Sequence, residues 1–264
     1  MDLPAPAIVA DLLSSGIGHE LLPLLKAERA PSSRLHLPAH AVPDMANGML
    51  FARDRLSAPL NRHMTIWWRH SEGFSPEPRT WIAHQGRLLK RMDAWQQHRG
   101  IPTAKIAVRE IGNIKLWHTH VLFSMPAEHV DAFLGFIVEC GKFSHCDDPA
   151  NRPVVITGGW PEDRDGAVSP AQQAGLIRYL AKGMSPKQKI GGKVVADALD
   201  IKPKANSAPL EGKPYSLHRS ISRKARADAG WIDTVDLASL RAALPTGEDT
   251  RRQRRNQVGA SRHV

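Results

Sequence analysis

Residues 105–125, KIAVREIGNIKLWHTHVLFSM, decide the fold. They read as two β-strands joined by a tight turn at Gly112-Asn113, a dipeptide suited to hairpin geometry. Side chains on a strand alternate faces, so His118 and His120 point to one side of the second strand. Trp117, Thr119, Val121 and Phe123 point to the other, and that side is the apolar one. The strand roots the two imidazoles roughly 6–7 Å apart, close enough to chelate one metal ion. Glu110, near the end of the paired strand, is placed to offer a carboxylate at the same spot. A His-x-His pair alone is equally the pattern of two half-buried polar side chains, so the rest of the chain must decide between them.

Working outward, residues 62–69 (RHMTIWWR) are β-branched and aromatic and predict a strand. Thr65 and Trp67 share one of its faces; Met64, Ile66 and Trp68 share the other. Apolar character on both faces predicts an interior strand, and Trp67, Trp68, Trp81 and Trp95 are expected in the core. Residues 79–98 predict a helix stopped by Gly100, with Trp81, Ile82, Leu88, Leu89, Met92 and Trp95 as its buried stripe. Beyond the hairpin, Pro126 opens a helix that runs to Cys140 and stops at Gly141. Residues 153–157 (PVVIT) predict a short strand. Residues 169–182 (SPAQQAGLIRYLAK) predict a helix with Ser169 as N-cap, Pro170 at the first helical position and Gly183 as the stop. On it, Tyr179 and Lys182 are three residues apart and share a face. The order strand, helix, hairpin, helix, strand, helix predicts an α+β fold with helices packed on a mainly antiparallel sheet.

The flanks read differently. A helix is expected near residues 19–30, and residues 31–47 (PSSRLHLPAHAVPDMAN) read as a linker or irregular arm. Residues 212–230 (GKPYSLHRSISRKARADAG) cluster Lys213, His218, Arg219, Arg223, Lys224 and Arg226, and Tyr215 among them reads as a nucleic-acid contact or as inert. A short helix is expected near residues 233–244. The end, TRRQRRNQVGASRHV, has little to bury and is expected to be disordered. The expected division is an arm over residues 1–58, a central domain over 59–190 and a basic extension over 191–264.

Composition narrows the partners. The 264 residues carry 36 Lys and Arg against 26 Asp and Glu, a net charge of +10, which favours a polyanion: nucleic acid first, a membrane surface second. Cys140 and Cys146 are the two cysteines, too few for a disulfide scaffold, and this suits a reducing cytoplasm. With His145 they lack the paired spacing of a zinc site and read as a helix-end and a loop cysteine. The first residues start acidic and lack a long apolar core, so no signal peptide is expected, and no apolar run reaches the length of a membrane span. No phosphate-binding GxxxxGK[ST] loop is present, so no helicase is expected in this chain.

Three motifs in order resemble those of the HUH endonuclease superfamily, the rolling-circle replication initiators and their relatives. HMTIWW stands in the position of that family's first motif. WHTHVLF matches its His-hydrophobic-His motif, with Thr119 in place of the usual hydrophobic residue. RYLAKG matches its Tyr-x-x-Lys motif and continues as Lys-Gly-Met, as in replication proteins of bacterial plasmids and phages. The likeness covers residues 60–190, with a fainter echo to 226. It implies an RRM-like, ferredoxin-like antiparallel sheet with a metal site on its open face. It implies cleavage of single-stranded or origin DNA through a tyrosine linked to the 5′-phosphate. A host helicase and polymerase are then implied as partners, and no membrane.

The resemblance assigns roles. Tyr179 is the nucleophile; a free phenol ionises near pH 10, so it needs nearby positive charge or a base. Lys182 supplies that charge or orients the phosphate. Glu110, His118 and His120 hold a divalent metal, Mn2+ or Mg2+, that polarises the phosphate. Thr65, Arg178, Lys213, Arg219, Arg223 and Lys224 are candidate DNA contacts. Trp160 is a candidate to stack on an unpaired base, beside its plainer reading as a loop residue. No second tyrosine shares the helix, so the two-tyrosine relay of some phage initiators is not expected. Three alternatives stay open: the same chemistry in transposition or plasmid mobilisation, a non-catalytic nucleic-acid-binding module on the same fold, and a metal-binding structural protein whose basic surface is incidental.

Overall fold

The first predicted strand, Arg62–Trp67 (β1), shows strict alternation, with Met64 and Ile66 fully buried and His63, Thr65 and Trp67 half-buried. The two sets serve the two faces of one sheet. The computed structural model describes residues 37–75, 77–112, 116–144, 152–157, 170–185, 187–201 and 214–243. Before β1 comes helix α1 (Ala41–Leu56). After it follow α2 (Pro78–Gln97), β2 (Lys105–Gly112), β3 (Leu116–Phe123), α3 (Val130–Cys140), β4 (Val154–Thr157) and α4 (Pro170–Leu180). A small hairpin, β5 (Lys189–Ile190) and β6 (Lys193–Val194), leads into α5 (Val195–Ala198). The described chain closes with β7 (Tyr215–Leu217), α6 (Arg223–Asp228) and α7 (Leu237–Ala243).

The main sheet has five strands in the order β4-β1-β3-β2-β7, and every neighbouring pair is antiparallel. The chain enters it as β1-α2-β2-β3-α3-β4, two β-α-β units interleaved through the β2–β3 hairpin. β1 is interior, between β3 and β4, as its two-sided apolar pattern predicts. The chain is therefore α+β with helices packed on an antiparallel sheet.

The back face carries Met64, Ile66, Trp68, Val121 and Phe123 against Trp81, Leu88, Met92 and Trp95 of α2 and Phe133 and Ile137 of α3. The threonine in the middle of the His-Thr-His triplet belongs to this layer. Its hydroxyl accepts from the Trp68 indole N–H at 2.8 Å, so two buried polar groups satisfy each other.

The front face is not open, contrary to what the resemblance implies. Ile106, Val108 and Leu122 are apolar there too, and a second core covers them. It comes from α1 (Val42, Met45, Met49, Ala52) and α4 (Ala174, Ile177, Leu180). Sequence expectation put residues 31–47 in a linker, yet α1 begins at Ala41. A proline is tolerated in a first helical turn, where its missing N–H has no partner to lose, so Pro43 does not break the helix. Val42, Met45, Met49 and Ala52 recur at steps of three and four, a helical stripe that the Pro and His around it obscure.

The basic segment after residue 191 also enters the fold. β7 pairs with β2 and extends the sheet. Arg226, 1% exposed, sits under it and bonds to Asp44 of α1 at 2.7 Å, to Asp233 at 2.7 Å and to the Ile221 carbonyl at 2.7 Å. Tyr215 donates its hydroxyl to the same Asp44 carboxylate at 3.1 Å. Both residues are thus ties between β7, α6 and α1. The expected helix near residues 19–30, Ser169, Trp160, His145, Cys146, Lys213 and the C-terminal 15 residues lie outside the described residues. No described helix is long and apolar enough to cross a membrane.

Candidate metal centre and tyrosine

Strand register builds the site. β2 and β3 pair Glu110 with His118 and Val108 with His120; β1 and β3 pair Trp67 with His118 and Thr65 with His120. Residues directly opposite in a ladder share a face, so Glu110, His118, His120, Thr65, Trp67 and His63 all belong to the front. Trp67, expected in the core, is instead half-buried beside His118 and joins neither apolar cluster. Period two decides this: Trp67 and Trp68 are adjacent in sequence and take opposite faces.

Glu110, His118 and His120 are 6%, 7% and 2% exposed. Their candidate ligand atoms all lie within 4.8 Å of one another. Glu110 Oε2 is 3.2 Å from His118 Nε2 and 3.9 Å from His120 Nε2. Ligands about 2.1 Å from one ion are about 3.0 Å apart when at right angles and about 3.4 Å apart in a tetrahedron. The two Glu110 separations lie near these values, so the set is compatible with one divalent cation once its atoms draw together. Two imidazoles and one carboxylate would also leave coordination positions open on such an ion. The group is a possible metal-binding triad.

His63 is the residue that sequence reasoning missed. Its Nε2 lies 3.1 Å from His120 Nδ1, and the Thr65 hydroxyl lies 3.2 Å from the same nitrogen. Burial pushes the His63 imidazole down to about 4, against the opposing pull of the Glu110 carboxylate, so it is neutral at pH 7. The signal was available: His63 stands two residues before Thr65 and must share its face.

The helix α4 brings the tyrosine. Its apolar side, Ala174, Ile177 and Leu180, is held in the front-face core. Tyr179, 38% exposed, then falls at the rim of that core. Its ring meets His63 at 5.4 Å and His120 at 5.2 Å between centroids, edge-on in both cases. The Lys182 ammonium sits 4.4 Å from the centroid of the Tyr179 ring, a cation–π contact. Gly183, the next residue, borders Glu110: a Cβ there would stand 3.7 Å from Oε1. The structure thus brings Tyr179, Lys182, Glu110, His118, His120 and Thr65 together.

Three of the other sequence candidates form ion pairs. Arg178 pairs with Asp200 at 2.8 Å, Arg223 with Asp44 at 3.0 Å, and Lys224 with Asp228 at 2.7 Å. Arg219, Arg223 and Lys224 are exposed. Comparisons with protein-family models, with curated proteins and with solved structures found no match to this chain.

Proposed function

We propose that this chain is a metal-dependent, single-tyrosine nuclease that cuts single-stranded DNA and can rejoin it, on an HUH-type version of the ferredoxin-like sheet. The observation that supports the reading is the meeting of Tyr179 with His120. A late helix and a middle strand, distant in sequence, put a half-exposed phenol against one imidazole of a buried Glu/His/His set. A chain of net charge +10 adds the electrostatic attraction that a polyanionic substrate needs.

Glu110, His118 and His120 would hold a divalent ion, which when bound supplies Lewis-acid polarisation of the scissile phosphate. The Tyr179 oxygen attacks phosphorus, an O–P bond forms, and the bond from phosphorus to the 3′-oxygen breaks. The phenolic proton leaves to solvent, and the departing 3′-oxygen takes one up. The product is a 5′-phosphotyrosine and a free 3′-hydroxyl. One phosphodiester has replaced another, so reversal by an incoming 3′-hydroxyl costs little and strand transfer follows. Lys182 keeps positive charge at the phenol and the phosphate throughout. A role as a rolling-circle replication initiator would use the 3′-hydroxyl as a primer, with a helicase supplied by the host.

The test is a denaturing gel of purified protein incubated with Mn2+ and a labelled single-stranded DNA library. Wild type is expected to give a slow-migrating covalent adduct that survives boiling in detergent. Tyr179→Phe is expected to give none. Equal adduct from both proteins would remove Tyr179 as the nucleophile, and no adduct from wild type would leave a nucleic-acid-binding module.

A further inference from the structure

β1 contributes a side chain to the site that neither the cation set nor the nucleophile uses. His63 lies on the front face, its ring centroid 5.1 Å from that of His120 and 5.4 Å from that of Tyr179. A neutral imidazole has one N–H and one lone pair. His120 presents Nε2 to Glu110, at 3.9 Å from Oε2, and it is this nitrogen that faces the cation set. If Nε2 gives its lone pair to a cation, Nδ1 must carry the proton. That N–H has two acceptors in range, His63 Nε2 at 3.1 Å and the Thr65 hydroxyl oxygen at 3.2 Å. The reverse arrangement, with His63 donating, would leave both nitrogens of His120 as acceptors and so require an anionic ring.

We propose that His63 is a positioning residue for the cation site: its Nε2 accepts from His120 Nδ1–H and so fixes the tautomer and ring angle that turn His120 Nε2 toward Glu110 and His118. Outer partners of this kind orient ligating imidazoles and raise their basicity, and losing one weakens metal binding about 10–100-fold. The Thr65 hydroxyl, 3.2 Å from the same Nδ1, shares the acceptor role. The flat His63 ring also fills the space against Tyr179, so the same side chain borders both the cation holder and the phenol. The role at His120 depends on the cation site; its bearing on Tyr179 rests on the nuclease reading above.

The experiment is calorimetric titration of metal-free protein with Co2+, supported by the visible spectrum of the Co2+ complex. Four proteins are compared: wild type, His63→Phe, His63→Gln and His63→Asn. His63→Phe keeps the ring and removes the nitrogen, and is expected to bind Co2+ about 10–100-fold more weakly. His63→Gln offers Oε1 as an acceptor at similar reach, and is expected to stay within a few-fold of wild type. His63→Asn has the same chemistry on a side chain too short to reach, and is expected to resemble His63→Phe; it replaces that variant if the phenylalanine protein does not fold. The proposal is overturned if wild type takes up no Co2+, if the phenylalanine and asparagine variants bind as wild type does, or if His63→Gln loses as much as they do. The adduct assay is a separate readout. A wild type that binds Co2+ with this ranking of variants yet never forms a DNA adduct sinks the nuclease and leaves the role of His63 standing.

Discussion

Lys182 holds its ammonium 4.4 Å from the centre of the Tyr179 ring, one helical turn along from it. The contact spans the end of α4, where the helix tightens into a 3-10 turn over Ala181–Gly183. The ammonium stands at the phenol that the proposed chemistry turns into a phosphodiester, and it can follow negative charge from the oxygen to the phosphate.

Replacing Lys182 by Met keeps the stem and removes the charge. The rate of adduct formation with Mn2+ and single-stranded DNA is expected to fall about 100-fold, in the range seen when one preorganised charge-stabilising group is removed. Lys182→Arg should recover a good part of it. Single-turnover gels read the rate directly. An unchanged rate in Lys182→Met would mean that the lysine only decorates the ring.

Glu110 is the carboxylate of the candidate metal-binding triad, and Glu110→Gln is nearly isosteric. Its affinity for Mn2+ is expected to drop by more than about a hundredfold, beyond the loss for an outer partner, because a charge-bearing ligand is gone. Far-ultraviolet circular dichroism should not change. Calorimetry of the metal-free variant measures the affinity, and wild-type binding would show that the carboxylate lies outside the coordination sphere.

Asp44 ties three parts of the chain through one carboxylate: Arg226 at 2.7 Å, Arg223 at 3.0 Å and Tyr215 at 3.1 Å. Asp44→Asn leaves the buried Arg226 guanidinium with Asp233 as its remaining carboxylate. Breaking a buried pair by removing one partner costs about 3–5 kcal/mol, and the surviving pair places this case near about 3 kcal/mol. The melting temperature should fall by about 6–12 °C. A shift below about 2 °C would show that the network is not a structural tie.

Acid should unfold the protein through the same carboxylate and through Asp93. Burial raises both, but hydrogen bonds from Arg226 and Arg223 to Asp44, and from His218 and Lys105 to Asp93, outweigh it and hold both below the ordinary value of 3.8. A folded-state value below the unfolded one means that the unfolded chain binds more protons in that window. The stabilisation is complete above the ordinary carboxylate range and is lost as pH falls through the two depressed values. Denaturant midpoints measured from pH 6 downward should hold until about pH 4–5 and then decline. Asp44→Asn should decline less steeply. Equal slopes for the two proteins would remove Asp44 from the account.

Much of the site was legible because strand and helix periods are local. The alternation in WHTHVLF put both imidazoles on one face, the hairpin put Glu110 opposite His118, and the spacing of Tyr179 and Lys182 put them on one side of the chain where α4 ends in its 3-10 turn. The same rule applied two residues earlier in β1 would have added His63 and moved Trp67 out of the core. The packing of the basic segment was not legible for a different reason. Charge in a sequence says nothing of its partner, and Arg226 and Arg223 meet Asp44, a residue near the other end of the described chain.

The sequence by itself determined the elements, the faces of each strand and the chemical character of the donor set, since backbone geometry fixes these within a few residues. The tertiary structure alone decided the strand order that sets His63 beside His120, the covering of the front face by α1 and α4, and so the docking of Tyr179 against the imidazoles. Those relations depend on which apolar surfaces bury one another across the whole chain. No local period encodes that choice, because the free energy of burial belongs to the pair of surfaces and not to either segment.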